Sequence, residues 1–406
     1  MSGQISPTKR GVAPALTILL VAFATWMLTN MDQSLFGYAV PDIVRSFGLS
    51  IDSIGLLISA SFVAGIFGAA LGGMATDVWG ARRTLPVCLG ISALLVGLQG
   101  FAGSAATFAL LRIVGYTFSA ALAPICNAMV GNISRSDRRP MMIAILQCGY
   151  PLGWAIASFA ATPLIATGGW RAPFLLGFVV VPIAGLFYWL LPAQGRTQTA
   201  SAPLIEAPKG RASPLATLLR EHRLKTIVGT MIFFLYGGSV AGTIFYLPAF
   251  FRETRGYDAI TAAHIVGLSW GVSMAGYIGA ALVGQTLLSR RSTTILWMLL
   301  ALVLMLVMIW LPRSVTQDVV AFSAAAIFFF GTAAISTAYL LEIFPENLRG
   351  TASGLCGSGG LCAGSVVFPL MVARLSQVAG WQVALSASVA PLAIAAGLLL
   401  LLPKRG

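Results

Sequence analysis

Apolar segments long enough to cross a lipid bilayer follow one another along almost the whole chain, and the loops between them are short and rich in arginine. A membrane-spanning helix needs about 20 such residues. Residues 53–75 and 85–101 make two of these segments. Where they meet, Gly72 to Thr84 (GGMATDVWGARRT) crowds Gly72, Gly73, Asp77, Gly80 and the pair Arg82-Arg83 into thirteen residues. Gly73 allows two helix backbones to approach closely. Asp77 is tolerable only near the membrane interface, paired or capping a helix. Gly80 permits a tight turn, and the two arginines suit a cytoplasmic face beside anionic lipid. Only 9% of the 406 residues are charged and 58% are hydrophobic, where a soluble chain carries about 25% charged residues. A chain of this kind buries most of its surface in lipid.

The segments predict an all-α integral membrane protein with helices over 12–35, 53–75, 85–101, 107–130, 141–165, 172–191, 226–250, 262–288, 293–311, 319–341 and 351–375, and a last one opening at Gly380-Trp381. Pro41 opens the first outer loop in this reading. The one long polar stretch, rich in Pro, Ala, Ser and Thr, reads as a linker over 193–225 with a surface helix from Pro214 to His222. The expected domains are therefore 1–192, the linker, and 226–406. With both termini placed inside, eighteen Lys and Arg fall in inner segments and six in outer ones, and Arg112 is left over. That bias favours an even number of spans with cytoplasmic termini. The net charge of +13 lies in short loops and not on a domain face, which argues against nucleic-acid binding. The five cysteines sit apart in apolar stretches and read as small core residues, not metal or redox pairs. Lys9 and Arg10 precede an apolar run without a clear cleavage site, which reads as a retained first helix.

The two halves repeat each other. Arg82-Arg83 matches Arg290-Arg291 at an offset of 208, Asn132 and Arg139 match Glu342 and Arg349 at 210, and Gly169-Trp170 matches Gly380-Trp381 at 211. A parallel repeat of six helices places a substrate between the halves, near mid-membrane.

The loop at Gly73, Asp77, Gly80, Arg82 and Arg83 resembles the G-x-x-x-D-x-x-G-x-R-R signature of the major facilitator superfamily. Glu342 to Gly350 (EIFPENLRG) is similar to the E-x-x-P-x-x-x-R-G loop of its sugar and metabolite porters. The resemblance covers nearly the whole chain. It implies twelve transmembrane helices in two six-helix bundles related by a pseudo-two-fold axis, with the signature loop cytoplasmic. Three positions depart from the family pattern: Gln285 stands where the second copy of the signature often has Asp, Asn132 where the first half often has Glu, and Tyr116 where a glycine often follows the helix-four arginine.

Arg112 lies inside a membrane helix, where a guanidinium is expensive and should face a cavity. It keeps its charge and can bind a carboxylate through two hydrogen bonds; a structural pair, or a residue near the outer interface, is the other reading. Asp32, in a polar patch at the outer end of helix one, is the candidate for proton coupling, against an ordinary interface carboxylate. Asn30, Gln33, Asn127 and Gln147 are candidates for orienting substrate or joining helices, and Tyr236 and Tyr246 for supplying aromatic surface and hydroxyls. Asp77, Arg82, Arg83, Arg139, Glu342 and Arg349 read as inner-gate groups that pair and separate as the carrier switches. No phosphate loop, nucleotide fold, catalytic triad or metal motif is present, so the expectation is a carrier and not an enzyme, without cofactors.

The polar end of helix one and the Gly169-Trp170-Arg171 turn are similar to those of organic-anion and metabolite porters of the family. The leading expectation is proton-coupled uptake of a small organic anion by alternating access, with protons and membrane lipid as further partners. A monomer in a bacterial inner membrane is expected. The alternative is proton-coupled efflux of drugs or metabolites, since Gly149, Pro151 and Gly153 form a partial G-x-P-x-G like that of exporters. A receptor or scaffold of another class is disfavoured by the small soluble loops.

Overall fold

The computed structural model describes residues 12–134, 139–192, 214–311, 314–345, 348 and 352–403. Helices α1 (Val12–Phe47), α2 (Ile51–Trp79), α3 (Ala81–Gln99), α4 (Ala105–Ile133), α5 (Arg139–Gln147), α6 (Gly149–Gly168) and α7 (Leu176–Leu190) form the part before the linker. After it come α8 (Pro214–Glu221), α9 (Arg223–Ile244), α10 (Leu247–Glu253), α11 (Ala259–Thr286), α12 (Arg290–Trp310) and α13 (Val315–Ile343). A π-helical stretch, Ser353–Gly359, then leads into α14 (Gly360–Ala379), followed by α15 (Trp381–Val389) and α16 (Pro391–Leu399). Among the described residues, eleven helical spans are long and apolar enough to cross a membrane. Most helix packing stays within one side of the linker. The contacts that cross it are chiefly α6 on α11, α2 on α14 and α1 on α10. Of the expected linker, 193–213 lies outside the described residues; α8 occupies the expected surface helix, with Leu218 buried.

Four expected helices are extended or broken beside a proline, the last of them at Ala390 before Pro391. The first does not end at residue 35: it continues through Pro41 to Phe47. Leu35, Phe36, Tyr38, Ala39, Val40 and Ile43 are all buried along this extension. Within a bilayer no water can pair freed backbone groups, which favours keeping the chain helical across an interior proline. The expected helix 141–165 is split at Cys148 into α5 and α6. Pro151 cannot donate to the carbonyl of Gln147, so the ladder breaks there. The expected helix 226–250 likewise breaks after Ile244, and Pro248 sits in the first turn of α10, where its missing N–H costs little.

The repeat is visible in packing. Gly68 of α2 faces the backbone carbonyl of Thr117 in α4, and Gly276 of α11 faces that of Ile327 in α13, each too close to admit a Cβ. Gly153 meets the carbonyl of Met27 in the same way, as Gly364 meets that of Phe234. Ser104 caps α4 by accepting from the Thr107 N–H, and Ser314 caps α13 by accepting from the Gln317 N–H. Gly169 and Gly380 both turn the chain at positive φ, 68° and 83°. Asp258 caps α11, accepting from the N–H groups of Ile260 and Thr261 at 2.8 and 2.9 Å. These bonds, that from Thr261 first, hold its carboxyl below the usual carboxylate range.

Candidate functional site

Two helices bring the polar site together. Asp32, Gln33 and Phe36 lie within about one turn of α1. Arg112 and Ser119 lie seven residues apart on α4, so both point to the same face. The Arg112 Nη2 donates to Gln33 Oε1 at 2.8 Å, and Gln33 Nε2 donates to Ser119 Oγ at 3.2 Å. The guanidinium lies over the Phe36 ring, 4.2 Å from its centroid. A desolvated contact of this type is worth about 2 kcal/mol. Asp32, Gln33, Arg112 and Ser119 are all buried.

The two ionisable groups of this cluster lie near enough to interact but make no direct ion pair. Asp32 and Arg112 form no salt bridge, and Asp32 Oδ1 and Arg112 Nε are buried without hydrogen-bond partners. Insertion scales set the cost of one such charge at mid-membrane at about 2.5–3.5 kcal/mol. Nor is Asp32 at the end of its helix: fifteen residues of α1, about 22 Å, separate it from Phe47. The extension of α1 past Pro41 puts Asp32 in the interior of the helix and not at its outer end, where it was expected. Arg112, in the third turn of α4, is interior too.

The other candidate residues fall at different places. Asn30 donates from Nδ2 to the carbonyl of Trp26, one turn back. Gln147 donates to Asn127 Oδ1 at 3.5 Å, linking α5 to α4. The Tyr236 hydroxyl donates to the carbonyl of Phe329 at 3.0 Å, and that of Tyr246 to the carbonyl of Pro369 at 3.1 Å, so both phenols are engaged within the second part of the chain. Sequence reasoning missed Ser119 and Phe36. The spacing of Ser119 from Arg112 was a usable signal; nothing in the sequence marks Phe36 among 23 phenylalanines.

An aromatic layer spans the linker-separated parts beside this cluster. Trp154 of α6 stacks on Trp270 of α11 with centroids 4.7 Å apart, and Trp270 stacks on Phe330 at 3.9 Å. Phe245, at the break after α9, touches the rings of Phe36, Phe62 and Trp154. Ser158 Oγ donates to the carbonyl of Ala263 at 2.6 Å across the same contact. Toward the Phe47 end of α1, Arg252 donates to both oxygens of Asp42 at 2.9 and 3.0 Å, a fork-to-fork pair from α10 to α1. Arg374 pairs with Asp52 at 2.8 Å, joining α14 to α2. Asp42 and Asp52 were absent from the residues singled out in sequence.

At the opposite end, Arg82 donates from Nε to the Tyr188 carbonyl at 3.2 Å and lies 4.9 Å from the Tyr188 ring centroid. Arg83 is exposed. Glu342 pairs with Arg290 at 3.6 Å, both in the second part of the chain. Arg349 and the side chains of Asp77 and Arg139 lie outside the described residues. Among the described residues, no cluster of His, Cys, Asp and Glu could hold a metal ion.

Comparison with known proteins bears on what such a cluster serves. The profile described as Major Facilitator Superfamily matches residues 18–359. A hexuronate transporter of Bacillus subtilis is 23% identical over 352 residues, covering 84% of this chain and 83% of that protein. A cis,cis-muconate transport protein of Acinetobacter baylyi is 25% identical over 348 residues, covering 82% and 81%. The crystal structure of a D-xylose-proton symporter superposes with a TM-score of 0.76 over 96% of this chain and 98% of that one, at 18% identity.

Proposed function

The chain belongs to the major facilitator superfamily, and from that premise we propose that it carries a small organic anion across a bacterial inner membrane by proton-coupled alternating access. Its class is plain: a multi-pass membrane protein that transports small organic molecules, and not an enzyme. The anion reading rests on one observation, the buried guanidinium of Arg112, whose hydrogen bond goes to a neutral amide and whose face lies on an aromatic ring without a direct ion pair. A ligand carboxylate would give it the charged partner it lacks. The hexuronate and cis,cis-muconate carriers, both related to this chain, are named for carboxylates.

Protons enter through Asp32. Its carboxyl is buried next to the anion dock without a paired cation, so its charge must be managed each time the carrier turns over. In this proposal Arg112 takes the carboxylate with Gln33 and Asn30 beside it, and Asp32 takes the proton. Asn127 and Gln147 line the approach, and Tyr236 and Tyr246 brace the second bundle. Twelve spans form two bundles, 1–192 and 226–406, joined by the 193–225 linker with both termini cytoplasmic, and a monomer suffices. The end with the Asp42–Arg252 and Asp52–Arg374 pairs is the outer one, drawn shut by them. Asp77, Arg82, Arg83, Arg139, Glu342 and Arg349 act at the inner end.

Efflux by proton exchange is the second reading. It draws support from the break at Cys148 and from the packing of Gly153 on the Met27 carbonyl, which place the Gly149–Gly153 stretch directly against α1. Purified protein in proteoliposomes separates the two. An inward-directed proton gradient should drive accumulation of labelled glucuronate or cis,cis-muconate. Accumulation only under the reversed gradient would establish exchange. Accumulation of neutral solutes but no carboxylate would remove the anion reading.

A further inference from the structure

We propose that Gln33 is the positioning residue of the anion site: its amide holds one arm of the Arg112 guanidinium, keeps that group off the neighbouring Asp32, and yields its place to a substrate carboxylate. The inference rests on the reading of Arg112 as an anion dock.

The geometry is unusual on electrostatic grounds. A buried guanidinium has a carboxyl-bearing residue next to its partner in sequence, yet its hydrogen bond goes to the neutral amide. Charge-assisted hydrogen bonds are about twice as strong as neutral ones. An ion pair with Asp32 would be stronger still than this bond to a neutral acceptor, but neighbouring residues of a helix face different directions, and α1 turns the amide of Gln33, not the carboxyl of Asp32, onto the Arg112 arm. Gln33 is held on both sides: Oε1 accepts from Arg112 Nη2 at 2.8 Å, and Nε2 donates to Ser119 Oγ at 3.2 Å. The serine bond orients the amide with its oxygen toward the guanidinium. Phe36 lies under the guanidinium at 4.2 Å and sets its plane. Nε is left without an acceptor.

Two consequences follow from a neutral group on that arm. An arriving carboxylate displaces a weak acceptor and gains a strong one, so ligand binding is an exchange in its favour. A charged acceptor on the same arm would occupy the dock permanently. And while the amide is in place, Arg112 does not collapse onto Asp32, so the dock and the proton carrier stay available separately. Gln33 thus stands where a carboxylate will stand. A merely structural bridge between α1 and α4 would be served as well or better by a glutamate, which would tie the helices through a stronger bond.

The test has a ligand-free arm and a ligand arm. Infrared spectra of the protein in lipid, with the Asp32 band identified by its loss in Asp32→Asn, report whether that carboxyl is paired. Gln33→Met keeps the length and removes the acceptor, and should move the Asp32 band to that of a guanidinium-paired carboxylate. An unchanged band overturns the inference. In equilibrium binding of glucuronate and cis,cis-muconate, Gln33→Glu should weaken affinity by about tenfold or more. Gln33→Met should also bind weakly, and adding Asp32→Asn should restore it to within about twofold of Asp32→Asn alone. Undiminished affinity in Gln33→Glu, or no restoration in the double variant, argues for a structural bridge and overturns the proposal. If the wild-type protein binds neither probe, the anion reading falls, and the infrared shift still decides whether Gln33 parts Arg112 from Asp32.

Discussion

The two parts of this chain are built on one packing plan and carry different chemistry. Among the described residues, the buried polar side chains after the linker are serines, threonines and tyrosines, with Asp318 as the one buried carboxylate. Before the linker the buried set includes Asn30, Asp32, Gln33, Gln99 and Arg112 as well. The close glycine contacts nevertheless correspond, Gly68 with Gly276 and Gly153 with Gly364. At the offset of 210 that relates Ser104 to Ser314, the counterpart of Arg112 is Phe322, fully buried. Asp318, for its part, sits in the first turn of α13, where it accepts from the Tyr257 hydroxyl at 2.7 Å and pairs with Arg255 at 3.6 Å. Arg255 also donates to the carbonyls of Met308 and Ile309, fastening the loop before α11 to the end of α12. A charge at a helix end with partners is a fastener; a charge in mid-helix without them has been kept at a cost. Repetition conserves how helices touch and leaves the choice of side chain in the interior free.

Four experiments break or sharpen that contrast. The largest effect is expected at Arg112. Arg112→Leu should reduce carboxylate uptake by about a hundredfold or more, and Arg112→Lys should raise KM most, since it keeps the charge and loses the planar fork. Phe322→Leu, its counterpart, should keep uptake within about threefold, as an apolar large-to-small change whose cost falls on stability. Equal losses at the two positions would end the claim that only one part holds the dock. Next, Asp32→Asn should abolish uptake driven by a pH gradient while exchange of labelled for unlabelled substrate continues. Full gradient-driven uptake by this variant would remove Asp32 from coupling.

The third concerns the charge after the linker. Asp318→Ala should cost about 3 kcal/mol of stability by stranding Arg255, read as a lower Tm in detergent, while protein that remains folded keeps its ratio of gradient-driven uptake to exchange. A changed ratio would place Asp318 in the mechanism. Burial first, and the Asp318 carboxylate with it, pushes the Tyr257 phenol up to about 12, so this donor stays protonated through the physiological range and Tyr257→Phe should soften the same Tm. The smallest effect belongs to Asp258→Ala, which removes the cap of α11 and should cost about 1 kcal/mol. Because the Asp258 carboxyl is held below its ordinary value, that contribution is present at neutral pH and fades as the pH falls through its folded-state value. A Tm difference between wild type and variant that does not shrink on acidification would assign the loss to something other than the charged cap.

Much of the fold could be read in advance from particular residues. The apolar runs and the paired turns at Gly169 and Gly380 announced helices and a repeat, and both turns carry the positive φ that glycine accommodates. Helix limits next to Pro41, Pro151 and Pro248 were misplaced. A proline lowers the local preference for helix without fixing the outcome: at Pro41 the helix persists, and at Pro151 and Pro248, whose neighbours are buried too, the ladder gives way. Of the candidate site, Arg112, Gln33 and Asp32 were marked by being polar in apolar helices. Asp42 and Arg252 were ordinary loop charges in sequence, 210 positions apart, and only the meeting of α1 with α10 makes them a pair.

The sequence by itself determined that this chain lives in a membrane, because burial of so many apolar residues with so few charges is a matter of composition and period. It also marked which side chains would be expensive there unless partnered, since residue type alone tells which groups carry charge. Which of those charges would be satisfied, and by whom, was decided by tertiary structure alone. A hydrogen bond requires two groups within about 3 Å, and no local rule brings Gln33 to Arg112. That follows from the packing of α1 against α4, which sets an amide and not a carboxylate on the guanidinium.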